Sequence, residues 1–419
     1  MVPRIMGEKN YFDGLREAQI SKYRELMLEF LEEARRTPGR TIFIVYLPSA
    51  ENTIAASILA SSLEASGIRV VSYPSHNAPS TPSIPAVYIN VEPKGLGNEL
   101  YVGGKPPSHA SRSIRVENGL PSLLVLLLGE IAPLNDYARL AAIASAYIMG
   151  RDKGERRDLV GFDREAAAKA RDIGRKFTLL AYRVEREPLA SSLARTLLPY
   201  YPGLTGSEES TRRVLREVSI DPDAVYSRIE DRDTISSLLN LLIDLVSKEY
   251  QSRPRDPRSL IAGINYYHLG SHILWDAREL AVVLEASHYS WGPEQIMLYT
   301  MLEAERRVYR EYLARLLPRV VELVEDARTK PGTLRETRLA GRKAWIHVGA
   351  DIGDPLTIAA QALRMMGVIE GNKPVIAGKT PVIPVDEALR TGLWPLPDEC
   401  ASSHALRGSW IKIGECLED

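Results

Sequence analysis

An α/β protein that opens on a parallel sheet, continues through helices and closes on a second, smaller α/β unit is predicted by three features of the sequence. The runs RTIFIVYL, NTIAASILASSLEASG and IRVVSYP follow one another over residues 40–74. This is a strand–helix–strand order, and a helical crossover of that kind joins parallel strands. From REPLASSLARTLLPYY to ISSLLNLLIDLVSKEY apolar residues recur at helical spacing. KPGTLRETRLAGRKAWIHVGADIG then returns to strand-like composition.

Taken in order, YFDGLREAQISKYRELMLEFLEEARRTP sets Ile20, Tyr23, Leu26, Met27 and Leu31 on one helical face, so it reads as an N-terminal helix. The first strand and the small-residue helix follow, with Gly67 closing that helix before the second strand. After the Pro/Ser-rich loop NAPSTPSIP come a third strand, AVYINV, a fourth, NELYVGG, and helices at LPSLLVLLLGEI and NDYARLAAIASAYIMG. The first domain is placed at 1–182. Residues 183–330 are expected to be helical, punctuated by QSRPRDPR and containing the helix WDARELAVVLEAS. A long connecting helix follows, on which Leu298, Leu302, Tyr309, Leu316, Val320 and Leu323 keep near-helical spacing and Pro318 introduces a kink. Residues 331–419 are the smaller α/β domain, with a helix through DPLTIAAQALRMMG and strands in KPVIAGKTPVIPVDEAL and RGSWIKIG.

At 419 residues and 45% apolar content the chain can bury a large core, and no apolar run is long enough to cross a bilayer. The first residues carry no secretory stretch, so a cytoplasmic location is expected. Cys400 and Cys416 are spaced more widely than zinc or redox pairs and read as reduced thiols. The net charge of −1 gives no global attraction to nucleic acid, so such binding must come from a local patch. Arg328, Lys330, Arg335, Arg338, Arg342 and Lys343 lie together against the single acid Glu336, either facing a nucleic-acid strand or forming a solvated connector. No basic stripe interleaved with aromatics is visible, so base stacking is not expected. RDKGERRD alternates in sign and reads as solvated surface. His268 and His272 have the spacing of a helical metal pair, but Gly270 between them argues against a helix, and a packing or surface role is the expectation.

The stretch FIVYLPSAENTIAASIL, the strand ends at Asn90 and Gly103, the helical middle and the small terminal domain resemble the DHH phosphoesterase superfamily, in its archaeal RecJ-like branch. Members that are active carry two metal ions, usually manganese, on a first motif H-x-D-x-D-G-x-x-S/A-x-A. Laid on this sequence, the motif's His falls on Leu47, its two Asp on Ser49 and Glu51 and its Gly on Asn52, while Ala55, Ala56, Ser57, Ile58 and Leu59 keep the small apolar tail. The strand-end Asp of a second motif falls on Asn90, and the Asp-His-His triplet on Gly103, Gly104 and Lys105, before Pro106. Two divalent cations need several carboxylates and imidazoles to offset their charge. Glu51 alone remains, and Lys105 brings a positive charge, so no metal or other cofactor is expected. WDARELAVV is similar to a stretch of archaeal members, and SSHALRG resembles a substrate-binding G-G-H segment, with His404 retained. One branch of the superfamily, that of cell-division-control protein 45 and its archaeal counterparts, keeps the domains and loses the ligands. What this resemblance implies is a DHH-type domain, a helical insert and a DHH-associated domain serving as a pseudo-enzyme. Such a protein would join the GINS complex and the MCM ring in the replicative helicase and touch single-stranded DNA. A phosphoesterase or exonuclease with displaced ligands is the alternative.

Overall fold

The computed structural model describes residues 5–75, 84–93, 98–251, 256–270, 272–302, 304–395, 406–413 and 417–418. Contacts divide the chain into two compact units, one of Met1–Ser145, Gly161–Ala170 and Thr300–Leu302, the other of Ala146–Val160, Arg171–Tyr299 and Glu303–Asp419. In chain order the first elements are α1 (Ile5–Arg36), β1 (Thr41–Tyr46), α2 (Ala50–Ala65), β2 (Arg69–Pro74), β3 (Ala86–Ile89), β4 (Glu99–Gly103), β5 (Ser113–Arg115), α3 (Leu120–Leu128), α4 (Asp136–Ile148) and α5 (Gly161–Lys169).

The first unit is built on a five-stranded sheet in the order β2-β1-β3-β4-β5, parallel throughout. β1 buries Ile42, Ile44, Val45 and Tyr46, so both its faces are covered, as a parallel strand under helices requires. α2 is buried on nearly every side, and its Ala and Ser residues allow that close approach. On α1 the buried stripe is Ile20, Tyr23, Met27, Phe30, Leu31 and Ala34, near the expected face. The Tyr23 hydroxyl donates to the Arg115 carbonyl at 2.7 Å and ties this helix to β5. β5, only three residues long, is a strand the sequence did not announce. The strand order reverses between β1 and β3, so the chain leaves these neighbouring strands in opposite directions and opens a crevice at their C-terminal ends.

The second unit contains β6 (Ile173–Leu179), α6 (Leu189–Arg195), α7 (Glu208–Glu217), α8 (Arg232–Glu249), α9 (Arg258–Ile261), β7 (Ala262–His268) and α10 (Ala277–Trp291). After these come α11 (Glu294–Leu302), α12 (Glu305–Glu311) and α13 (Leu317–Thr329), with the end of α11 grouped among the first unit's residues. The expected all-helical middle therefore holds an antiparallel pair, β6 with β7. The expected long helix is broken in two places. Between α12 and α13 a wider π-turn runs over Tyr312–Leu316, and Pro318, which has no N–H to donate, follows it in the first turn of α13.

The chain ends on β8 (Leu334–Leu339), β9 (Arg342–His347), α14 (Leu356–Met365), β10 (Val375–Ala377), β11 (Val382–Pro384), α15 (Val385–Arg390), β12 (Leu406–Arg407), β13 (Trp410–Lys412) and β14 (Leu417–Glu418). These strands form a seven-stranded sheet, β12-β13-β11-β10-β9-β8-β14, in which β9 and β10 are parallel and the other pairs antiparallel. The result is a mixed α/β protein with a parallel five-stranded sheet, helices and a separate sheet near the C-terminus.

Candidate functional site at the switch point of the parallel sheet

The loop after β1 and the ends of β3 and β4 meet at the crevice where a doubly wound sheet places its ligand. Leu47 continues β1, donating its N–H to the Ile89 carbonyl at 3.1 Å, and its side chain is buried. Ser49 is the N-cap of α2: its hydroxyl accepts from the Asn52 N–H at 3.1 Å, while its carbonyl accepts the Thr53 hydroxyl at 2.8 Å. Two of the motif positions, Leu47 and Ser49, thus end a strand and start a helix.

Asn90 holds the middle of the site. Its backbone is left-handed, φ 51°, a conformation that asparagine tolerates better than most residues. Its amide nitrogen donates to Asn52 Oδ1 at 2.8 Å, and its Oδ1 accepts the Gly104 N–H at 3.0 Å. One neutral side chain thereby joins the α2 start, the β3 end and the β4 end. Gly103 makes room for it: a Cβ there would overlap Asn90 Oδ1 and lie 2.7 Å from the Tyr101 hydroxyl. Burial raises the pKa of that hydroxyl. Glu51 is half-buried, Lys105 is exposed, and His109, also exposed, bonds through Nε2 to the Pro93 carbonyl at 3.2 Å.

Chemically, the centre of this crevice is an amide clamp. Asparagine amides and a serine hydroxyl neither titrate near neutral pH nor carry the negative charge that a pair of divalent cations needs. Among the described residues, no group of three or more His, Cys, Asp or Glu side chains meets at this loop.

The six basic residues of 328–343 do not share one face. Arg328 is largely buried and bonds Glu325 at 2.8 Å and Glu249 at 2.9 Å, and Lys330 pairs with Asp326 at 2.7 Å. On the β8–β9 hairpin Arg338 stands opposite Lys343, while Arg335 stands opposite Ile346 and Leu339 opposite Arg342. Alternation then sets Arg338 and Lys343 on one face, and Arg335 and Arg342 on the other. Lys343 pairs with Glu336 at 2.8 Å, and Arg342 donates to the Gly392 carbonyl at 3.0 Å. A residue overlooked by the sequence reading joins the first face: Trp345, opposite Glu336 and two residues beyond Lys343. The signal was available, because residues two apart on a strand share a face.

His268 closes β7, and its Nδ1 accepts the Gly270 N–H at 2.9 Å, leaving Nε2 toward Asp172 at 3.3 Å. The His272 ring contacts it edge-on at 3.9 Å between centroids, without a helix between them. His404 with its neighbours Ser402 and Ser403, and both Cys400 and Cys416, lie outside the described residues.

No protein-family model matches the sequence, and no curated protein sequence matches it. Solved structures do. The crystal structure of CDC45 from Entamoeba histolytica matches with a TM-score of 0.58 at 12% identity, over 88% of this chain and 89% of that one. RecJ from Thermus thermophilus, crystallised with Mn2+, matches at a TM-score of 0.40 and 13% identity, over 95% of this chain and 52% of its own. The chain has the fold of CDC45. No described helix is long and apolar enough to cross a membrane.

Proposed function

We propose that this protein is a non-catalytic replication factor of the CDC45 kind, a pseudo-enzyme that scaffolds the GINS complex and the MCM ring in an archaeal replicative helicase and touches single-stranded DNA. The observation that carries the reading is the amide clamp. At the crevice where a phosphoesterase of this architecture would hold metal ions, Asn90 bonds Asn52 and Gly104 instead. A crevice whose central side chain is a neutral amide bonded to its neighbours offers no charge to hold a pair of metal ions, which makes the frame the useful part of the molecule. The CDC45 fold supports the same conclusion.

With a net charge of −1, docking to GINS rests on apolar contact rather than long-range steering and survives moderately high salt. DNA contact, by contrast, is weak, independent of sequence and salt-sensitive. Its candidate residues are Arg338 and Lys343, which share one face of the β8–β9 hairpin with Trp345 as a stacking surface.

The direct experiment is size-exclusion chromatography with GINS from the same source, at low and high salt. Co-elution under both conditions is expected, and separate elution under both removes the scaffold reading. Incubation with single-stranded DNA and manganese tests the other half: no cleavage is expected. Cleavage that follows the protein through purification and disappears in Glu51→Gln would make it a phosphoesterase with displaced ligands.

A further inference from the structure

The second unit contains a partly open cavity of about 70 Å3 that the proposed scaffold role does not use. A water needs about 10–15 Å3 on this measure, so the space admits several waters or one compact anion. Its polar wall is made by Tyr147, Asp152, Arg157 and Arg278, and its apolar wall includes Val282 and Met365.

The charges on the polar wall do not cancel. Arg157 Nη2 reaches Asp152 Oδ2 at 2.6 Å, and Arg278 Nη1 reaches the same oxygen at 3.0 Å, so two guanidiniums share one carboxylate. Glu285 also lines the cavity, but its carboxylate is engaged by Arg390 and by Gln361. Burial, and then the neighbouring charge of Arg278, lowers the pKa of Arg157. Arg278 moves the other way, its pKa raised against the effect of burial by Tyr147 and Asp152.

Two donors in the wall are also unanswered. Arg278 is 7% exposed, and its Nε has no hydrogen-bond partner. The Tyr147 ring lies under the Arg278 guanidinium, 4.2 Å from carbon to centroid, and its buried hydroxyl likewise has no partner. Buried donors left in this state are costly unless something accepts from them. The backbone adds a further mark: Arg156 and Arg157 are consecutive left-handed residues, φ 55° and 58°, and neither is glycine. Such conformations persist where the surroundings demand them.

We infer that this cavity is a binding site for a small oxyanion of the phosphate class, held by Arg157, Arg278 and the Tyr147 hydroxyl. A four-oxygen anion answers several donors at once and supplies the missing negative charge. The cavity is too small for a nucleotide, so the ligand is the free ion.

The probe is inorganic phosphate, titrated into the full-length protein by calorimetry and by thermal shift. Sulfate and chloride serve as comparison arms at matched ionic strength. Saturable binding of phosphate and sulfate, absent with chloride, is expected. Arg157→Gln, whose side chain is partly exposed, should weaken phosphate by about tenfold or more, as loss of a charge-assisted bond does. Tyr147→Phe keeps the ring beneath Arg278 and should weaken it by about fivefold, the worth of one ordinary hydrogen bond. Circular dichroism verifies that both variants fold. Absence of a saturable oxyanion effect beyond chloride, or unchanged affinity in either variant, overturns the inference.

Discussion

Gly103 and Asn90 make a paired test of the amide clamp. In Gly103→Ala the new Cβ overlaps Asn90 Oδ1, and that oxygen is not free to swing away, because Asn90 is held by Asn52 on one side and Gly104 on the other. The overlap costs about 1–3 kcal/mol as overpacking. Displacing Asn90 leaves the buried Asn52 without its donor, about another 1–3 kcal/mol. Together they predict a loss of roughly 2–6 kcal/mol. Asn90→Ala loses the same two bonds and also sets alanine at φ 51°, adding about 1–2 kcal/mol for the left-handed backbone. In the double variant both Asn90 atoms that the Cβ would strike are gone, and of its three nearest neighbours only the Tyr101 hydroxyl is left. Its total should therefore fall short of the sum by about 1–3 kcal/mol, the coupling of two residues in contact. All five tryptophans lie in the second unit, so their fluorescence would miss the effect. Hydrogen–deuterium exchange of the peptide containing Gly104 reads it directly, since the Gly104 N–H is the proton that Asn90 holds. Strict additivity of the two substitutions would refute the clamp.

Further outcomes follow from the same structure. Gly103→Asp and Ser49→Asp, alone or together, should leave the protein without manganese-dependent cleavage of single-stranded DNA, because a two-metal site needs most of its ligands at once; turnover in a nuclease assay would contradict this. Replacing Arg338 and Lys343 by Ala should flatten the dependence of log affinity for single-stranded DNA on log salt by ~0.7 per lost phosphate contact, measured by fluorescence anisotropy, and an unchanged slope assigns that face to plain surface. Glu279, buried against Arg183, has its pKa raised to about 7 by burial. A carboxyl whose folded pKa lies above its unfolded value contributes stability that is complete below about pH 4.3 and is lost as pH rises through about 7. Glu279→Gln should therefore lower Tm by removing the partner of a buried arginine, and should give a shallower fall of Tm from pH 5 to pH 8 than the parent; an equal slope would show that Glu279 titrates normally.

The strand–helix–strand opening was legible because its signals are local: the apolar run Ile42–Tyr46, small residues through α2 and the Gly67 stop. β5 was not legible, since three residues show no period. β6 was missed because its centre, Arg175–Phe177, is exposed and polar residues interrupt any alternation. At the site, the sequence showed which residues stand at the strand ends but not how they bond one another. Asn90 and Gly104 are fourteen residues apart, and their bond depends on two parallel strands ending at the same height. The basic segment illustrates the reverse: of six like charges close in sequence, four are parted by a hairpin that turns them two to each face.

The π-turn at Tyr312–Leu316 fixes the length of the chain as well as its shape. It holds one more residue per turn than the α-helix around it needs, so everything after it is rotated by about 100° relative to an uninterrupted helix. Val320, Leu323 and Val324 are the buried residues of α13, in the register that this offset gives them. Excising a single residue here would turn those three side chains toward water, and the ladder would still lack the bond that Pro318 cannot donate. The wide turn acts as a register mark that aligns two stretches of helix with one apolar seam.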